Sequence, residues 1–442
     1  MTAEELEELL KKHMGGHMQL VSRGRKAALY YRNRNDILRE KSPENQSRAI
    51  EGMHPLRNAD NRISHNWHNL LVNQKAGYLF TNPPAFDLGE ESRNQKLRKT
   101  LGEDFARICK DLCIEASNTG IAFLHIWEGE AGTLEMDTVS GMEVIPLFDR
   151  GMRRKMTGAI RLYQGELDGQ RVDFYEYWDE ESGTFFVRKS GRLEPYPMVK
   201  NRNEVEHPFG QVPFIPFANN NLMSSDLENV KPLIDVYDKI FSGYVNDIED
   251  IQQVIFILTN YGGENLEEFL SDLKRYKTVD MQQSGEGDHS GISTLTIDIP
   301  VAARNDLLAM TRKEIFVCGQ GVDPEKEAFQ SASGTALRHV YSLLELKAGL
   351  METEFRRGFH QLIRLILAYW GEGEEAVSIN QSYFRSAIQN DLEQAQILSY
   401  VKDISSTETI AKSNPMVDDW QQEMRQLRKQ KKENQKNKEQ ER

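Results

Sequence analysis

The stretch SDLENVKPLIDVYDKIFSGYVNDIEDIQ, residues 225–252, carries most of the information about the fold. Its apolar residues recur at steps of three or four, the period of an amphipathic helix. They are Leu233, Tyr237, Ile240, Tyr244, Ile248 and Ile251. Ser225 is expected to cap this helix, and Pro232 falls in its early turns, where a missing N–H matters least. The opposite face is acidic, with Asp235, Asp238, Asp247, Glu249 and Asp250.

A compact insertion and a second helix follow. Residues 254–258 and 292–299 are predicted to be strands, residues 266–276 a short helix and residues 277–281 another strand, so that 253–299 form a small α/β unit. Residues 300–317 then return to a helical pattern that would extend about 27 Å. Two helices of similar length around an insertion predict an antiparallel pair that carries the insertion at its tip.

The remaining C-terminal part is predicted to be mainly helical. Residues 319–334 are rich in glycine and small residues and form a loop, and residues 335–370 form one helix of about 54 Å. Further helices are expected over 381–401 and 404–420. The basic tail, residues 421–442, has few apolar residues and is predicted to be solvated or disordered.

The N-terminal half combines helices with a β-rich region. Helical patterns cover residues 63–80 and 94–117. Residues 118–217 are predicted to be an antiparallel β module, and the proline-rich segment 208–217 does not suit a central strand. The β-rich runs within the module are 120–127, 159–163, 171–178 and 184–188. The expected class is therefore α+β, mainly helical.

Composition limits the function. The chain has 442 residues and a net charge of −13, which argues against a protein that wraps nucleic acid on a basic face. Three cysteines, Cys109, Cys113 and Cys318, give neither a disulfide framework nor a metal motif, and they favour a reducing compartment such as a cytosol. No stretch is apolar enough for a membrane span.

Candidate reactive motifs are weak. His65 and His68 share one helix face, but two ligands without a third make a poor metal site, and a structural or surface role is favoured. Cys109 and Cys113 are expected to pack as small apolar residues. The triplet Gly319-Gln320-Gly321 lacks the Lys-Ser/Thr of a phosphate loop. We therefore predict no catalytic residue, no metal and no cofactor. The acidic helix face has an ordinary interpretation, a solvated surface.

Four segments, in order and over about residues 20–420, resemble the portal proteins of tailed phages that infect Gram-positive hosts. The first runs from Asn61-Arg62-Ile63-Ser64-His65-Asn66-Trp67 through Gly77-Tyr78-Leu79-Phe80 to Pro83-Pro84. The second runs from Pro213-Phe214-Ile215-Pro216-Phe217 to Asn246-Asp247-Ile248-Glu249-Asp250. The third is Ser333-Gly334-Thr335-Ala336-Leu337, and the fourth extends from Ile404 to Asp419.

This resemblance implies an architecture. It divides the chain into a wing (1–224), a first stem helix (225–252), a clip (253–299), a second stem helix (300–318), a tunnel loop (319–334), a long wing helix (335–370) and a helical crown (371–420). Such subunits form closed rings, usually of twelve copies. Head-to-tail interfaces in a ring also explain helices whose apolar faces exceed what one subunit covers.

The resemblance also implies a function: a ring-shaped channel at one capsid vertex for packaging and ejection of double-stranded DNA, which it contacts without sequence specificity. Acidic walls would keep phosphates from adhering. The residues expected to face the channel are Asp235, Asp238, Asp247, Glu249, Asp250, Glu325, Glu327, Ser331, Ser333 and Gly334. Small residues in the loop, including Ala332, would let it bend.

Implied partners are the terminase large subunit and a head-tail connector or adaptor protein at the clip, and scaffolding and major capsid proteins at the wing. The clip residues expected to contact partners are Glu264, Glu267, Glu268, Lys274 and Arg275. The protein would be part of the virion, assembled in the host cytoplasm. The tail from Arg425 could touch packaged DNA or merely keep the protein soluble. Alternatives are a non-viral oligomeric scaffold and a cryptic metal-dependent nuclease.

Overall fold

The computed structural model describes residues 1–39, 59–129, 132–152, 155–198, 202–251, 255–259, 291–295, 300–325, 334–372, 378–386, 396, 398–414, 417, 420 and 422–430. Side chains are described for these residues except within 250–299, 334–339 and 412–413. The chain divides into two units. The first unit comprises Met1–Tyr31, His68–Asn229 and Phe316–Arg442, and the second comprises Arg32–Trp67 and Val230–Ile315.

The helices and strands interleave along the chain. The helices are α1 (Ala3–Tyr31), α2 (Trp67–Phe80), α3 (Glu91–Leu101), α4 (Phe105–Thr119), α5 (Lys231–Ile251), α6 (Val301–Cys318), α7 (Gly334–Tyr369) and α8 (Thr407–Ser413). The strands are β1 (Ala85–Asp87), β2 (Ile121–Glu128), β3 (Leu134–Ser140), β4 (Val144–Phe148), β5 (Met156–Leu167), β6 (Gln170–Trp178), β7 (Ser182–Lys189), β8 (Arg192–Pro195), β9 (Glu204–Glu206), β10 (Phe214–Ala218), β11 (Ile255–Thr259), β12 (Gly291–Leu295) and β13 (Asn380–Ser382). The chain is thus α+β and mainly helical, as predicted.

The β module of the first unit consists of two antiparallel sheets. One has six strands, with β4-β5-β6-β7-β8 in order and β9 paired with β7. The other has three strands in the order β10-β2-β3. The proline-rich strand β10 lies at the edge of its sheet, next to β2. Pro216 has no N–H to donate, which an edge strand tolerates better than a central strand does. The prediction that this segment is not a central strand is confirmed.

Apolar clusters among the described residues hold the first unit together. Helix α1 packs Leu6 and Leu10 against one face of the six-stranded sheet, on Ile160 and Phe186. A second cluster lies between the sheets and includes Phe123, Trp178 and Phe214. The largest surrounds α7, where Phe355 and Phe359 contact Phe217 of β10, with ring centroids 5.0 and 4.9 Å apart. The long helix is therefore a core element of this unit.

The second unit contains helix α5, most of α6 and the two-stranded antiparallel sheet β11-β12. The strands predicted at 254–258 and 292–299 are confirmed in their described parts. The helix predicted at 266–276 and the strand predicted at 277–281 lie outside the described residues.

Some predicted boundaries were wrong. The single helix predicted over 94–117 is two helices, because Gly102 ends α3 with a φ of 75°. Helix α5 begins at Lys231, and Ser225 does not cap it: its Oγ accepts from the N–H of Leu227 in the preceding turn. The helix predicted from 381 does not begin there, because residues 380–382 form strand β13, which pairs with β1. Residues 422–430 of the tail are helical.

Candidate functional site

The candidate site is the pair of helices α5 and α6, and the polar face of α5 is already occupied within the second unit. The segment 59–66 runs antiparallel along it. The backbone N–H groups of Asn61, Ile63 and His65 donate to the side chains of Asn246, Ser242 and Asp238, at 2.7, 3.0 and 3.0 Å.

The spacing of these contacts has a simple geometric cause. Four residues of α-helix rise about 6.0 Å, and two residues of extended chain advance about 6.6 Å. Every fourth residue of α5, from Asp238 to Asn246, can therefore meet every second residue of the segment. The side chains of α5 satisfy N–H groups that have no strand or helix partner.

Among these side chains, Asp238 makes the most hydrogen bonds. Its Oδ1 atom also lies 2.8 Å from Nδ1 of His65, and its Oδ2 atom accepts from Asn35 Nδ2 at 2.6 Å. The ring of His65 sits edge-on to Tyr237 and Phe241, with centroids 4.7 Å away in both cases. The carboxylate of Asp238 is completely buried. The prediction that Asp238 lines a channel was wrong, because a buried carboxylate with three donors is not available to DNA.

The other acidic residues of α5 differ in their ion pairs and in their exposure to solvent. Asp235 binds Lys231, which also contacts Asp36, and Asp247 binds Arg304 of α6. Glu249 is exposed and accepts one bond from Asn61. The side chain of Asp250 is outside the described residues.

The loop and clip residues are only partly described. Glu325 is exposed, and Gly334 is the first residue of α7. Glu327, Ser331, Ala332 and Ser333 lie outside the described residues, as do the clip residues Glu264, Glu267, Glu268, Lys274 and Arg275. Their expected roles stay predictions.

A buried charged cluster in the first unit was not predicted from the sequence. Asp226 Oδ2 lies 2.6 Å from Lys75 Nζ and 3.1 Å from Lys347 Nζ. Asn219 donates to Asp226 Oδ1 at 2.9 Å and accepts from Lys75 at 2.6 Å. We call these four residues the lysine cluster. Burial alone would raise the pKa of Asp226, but the two lysines outweigh it and the pKa lies well below its usual range.

The described part of the chain offers little evidence for a metal site, a reactive thiol or a catalytic histidine. No group of three His, Cys, Asp or Glu residues that could hold a metal occurs there. Cys109 and Cys113 are buried in the core around α7, as predicted, and burial raises the pKa of the Cys113 thiol to about 11. His68 is buried against Asn118, with Nε2 2.9 Å from Oδ1, so both histidines of the doubtful metal motif are structural.

The hydropathy of the helices bears on membrane insertion. Among the described residues, none of the helices is both long enough and apolar enough to cross a bilayer.

Comparison with known proteins is decisive for the family. Residues 11–437 match the family model described as phage portal protein, SPP1 Gp6-like. The portal protein of Clostridium phage phiCD119 is 41% identical over 412 residues, which cover 89% of each chain. The portal protein of Bacillus phage SPP1 is 31% identical over 419 residues, which cover 90% of this chain and 82% of that one.

A solved structure is also similar, but only weakly. A chain from the neck of an empty GTA particle, computed with C6 symmetry, aligns with a TM-score of 0.45 and 14% identity over 78% of this chain and 88% of that chain. This similarity is too low to carry an argument. The family model and the two relatives cover nearly the whole sequence, and the chain therefore belongs to the family of phage portal proteins.

Proposed function

We propose that copies of this chain close into a ring at one capsid vertex, and that double-stranded DNA passes through the ring during packaging and ejection. The observation that carries the proposal is the extent of the family match, which includes α5, the insertion after it, α6 and α7. A chain that kept only a wing-like domain would match over a shorter range.

Exposed apolar side chains support assembly. Leu307 and Met310 of α6 are 45% and 64% exposed, and Leu346 and Leu350 of α7 are 62% and 58% exposed. Within each pair the two residues are neighbours on one helix face, and contiguous apolar patches on a surface commonly mark protein interfaces. In a ring, each subunit would use two different surfaces to contact its two neighbours.

The charge distribution supports transit of DNA rather than tight binding. A protein of net charge −13 repels phosphates, and a wall with few basic residues releases few counterions on contact. Of the residues predicted to face the channel, Glu249 and Glu325 have side chains that are both described and exposed. We assign the lining of the channel to these two first, and keep Asp235, Asp247, Asp250, Glu327, Ser331, Ser333 and Gly334 as further candidates.

The proposed role is structural. The clip around Glu264 to Arg275 would receive the terminase large subunit and later a connector protein, and the wing would contact scaffolding and major capsid proteins. Energy for packaging would come from the motor, since portal proteins are structural components of the virion. A scaffold outside viruses or a nuclease has no specific observation in its favour.

A packaging assay tests the proposal. The phage that carries this chain would be disabled in its portal gene and complemented with the full chain or with a variant whose residues 253–299 are replaced by a Gly-Ser linker. We expect DNase-resistant genomes only with the full chain. Particles that fill with DNA without the chain would contradict the proposal.

A further inference from the structure

The segment that follows the second stem helix begins with a tightly held stretch, residues 319–322, which we call the loop root. Helix α6 ends in a Schellman motif: Gln320 N–H donates to Val317 O at 3.2 Å and Gly321 N–H to Phe316 O at 2.9 Å. The left-handed position of this motif is occupied by Gln320, with a φ of 54°, rather than by glycine. A non-glycine residue in this region carries strain and persists where its surroundings hold it.

Gly321 has a different reason to be glycine. A Cβ atom at this position would lie 2.3 Å from Cδ2 of Leu71 and 2.9 Å from Oε1 of Gln74. The loop root therefore lies directly against helix α2. This close packing explains the Gly319-Gln320-Gly321 triplet without a phosphate-binding role.

Gln74 binds the next residue from both sides. Its Nε2 donates to Val322 O at 2.7 Å, and its Oε1 accepts from Val322 N–H at 3.0 Å. One side chain thus replaces the two backbone partners that Val322 would have in a sheet. Val322 itself is 7% exposed.

The lysine cluster holds the other end of the loop root. Lys347 of α7 donates to Gly319 O at 2.9 Å while it contacts Asp226. Asp226 carries one negative charge and cannot neutralise both Lys75 and Lys347. The C-terminal carbonyls of α6 carry partial negative charge, which offsets the remaining positive charge. Asp226 in turn lies five residues before Lys231, where α5 begins.

We propose that Gln74 and Lys347 are positioning residues that keep the loop root fixed on α2 and α7, so that the chain after the second stem helix is held in place as far as Val322. The role of the following residues as a tunnel loop rests on the proposed function. The contacts of Gln74 and Lys347 lie within a single subunit and do not depend on it. The next residues fit this limit: Asp323 is half-buried, and Pro324 and Glu325 are exposed.

Hydrogen exchange of the full chain, measured on peptides that cover residues 316–325, tests the proposal. Gln74→Leu removes both bonds to Val322, and Lys347→Met removes the bond to Gly319. We expect exchange of the Gly321 and Val322 amides to accelerate about tenfold or more in each variant, the effect of losing one net hydrogen bond. Exchange in the β2 peptide, residues 121–128, should not change.

Matched substitutions provide the controls. Gln95→Leu changes the same residue type on an exposed helix surface, and Lys313→Met removes an exposed lysine from α6. Neither should alter exchange at 316–325. If Lys347→Met unfolds the chain, Gln74→Leu, at a half-buried position outside the cluster, still gives the answer.

The results separate this inference from the proposed function. Unchanged protection of Val322 in Gln74→Leu overturns the inference, whether or not the protein forms rings. Accelerated exchange in a chain that never assembles would support the loop root and count against the channel.

Discussion

Backbone N–H and ring Nδ1 of His65 converge on one oxygen, Oδ1 of Asp238, at 3.0 and 2.8 Å. This convergence fixes the segment 59–66 on helix α5. It also removes from the surface a carboxylate that the amphipathic pattern had placed on an acidic face. The polar side of α5 is therefore partly an internal surface of the subunit.

Replacement of Asp238 should destabilise the second unit strongly. Asp238→Leu leaves the His65 N–H, the His65 ring and Asn35 without their acceptor, which should cost about 3 kcal/mol. Asp238→Asn keeps an acceptor oxygen and should cost less. Urea unfolding and hydrogen exchange over residues 59–66 measure the two effects.

The control for this series is Asp306→Leu, at an exposed position of α6. It should change stability by no more than about 0.5 kcal/mol. If Asp238→Leu were as mild as Asp306→Leu, the contacts of Asp238 would not hold the segment.

Acid should destabilise the first unit through two buried histidines. Burial lowers the pKa of His68 and of His125 to about 4, from 6.5. Because the folded pKa is the lower one, the unfolded chain binds more protons below pH 6.5, and stability falls as the pH drops from about 6.5 towards 4. The loss should approach the order of 3 kcal/mol for each histidine.

Urea midpoints measured between pH 7 and pH 4 test this prediction, with His68→Gln as the variant and the unsubstituted chain as the reference. His68→Gln should remove roughly half of the pH dependence that the two histidines produce. Asp226 should contribute little above pH 4, because most of its effect on stability develops as the pH falls below its unfolded value of 3.8. An unchanged slope in His68→Gln would refute the assignment.

Two glycines of α7 should respond oppositely to alanine. At Gly349 an added Cβ meets nothing within 4 Å, so Gly349→Ala should stabilise the isolated subunit by about 0.5–1 kcal/mol through helix propensity. At Gly358 the Cβ would lie 2.6 Å from Cε1 of Phe217, in the core. Gly358→Ala should therefore destabilise by about 1–3 kcal/mol.

The two alanine variants control for each other, since they are nine residues apart on one helix. The measurement is the urea midpoint of each. Equal shifts of the same sign would show that α7 does not pack on β10 through Phe217.

Charge reversal should increase the affinity of assembled rings for DNA. Glu249→Lys with Glu325→Lys adds cations at exposed positions assigned to the channel, and each additional phosphate that the protein neutralises steepens the salt dependence of binding by about 0.9 in log–log slope. Fluorescence anisotropy of labelled duplex DNA at several salt concentrations measures this. Glu8→Lys on α1, also exposed, should have little effect. Equal binding by all variants would remove Glu249 and Glu325 from the channel wall.

Local patterns predicted most elements of the fold. The strands at 120–127, 171–178 and 184–188 coincide with β2, β6 and β7 to within two residues, because alternation and hairpin turns are local signals. Helices α6 and α7 were also predicted to within one residue at each end, and no proline interrupts either of them. Strand β13 was missed because its three residues gain a partner only through β1, almost three hundred positions earlier.

The candidate site was less predictable for a related reason. A carboxylate that faces solvent and one that accepts bonds from a distant segment have the same place in a helical pattern, so Asp238 could not be distinguished from Glu249. The lysine cluster joins residues 75, 219, 226 and 347, and no spacing rule connects them. A lysine within the apolar run of α2, Lys75, was the one available signal.

Electron microscopy of the purified chain is the most direct test of ring formation. We predict closed annular particles with a central opening wide enough for duplex DNA, about 20 Å, formed by copies of this chain alone or with its capsid partners. A single globular subunit at every concentration, with and without those partners, would contradict it.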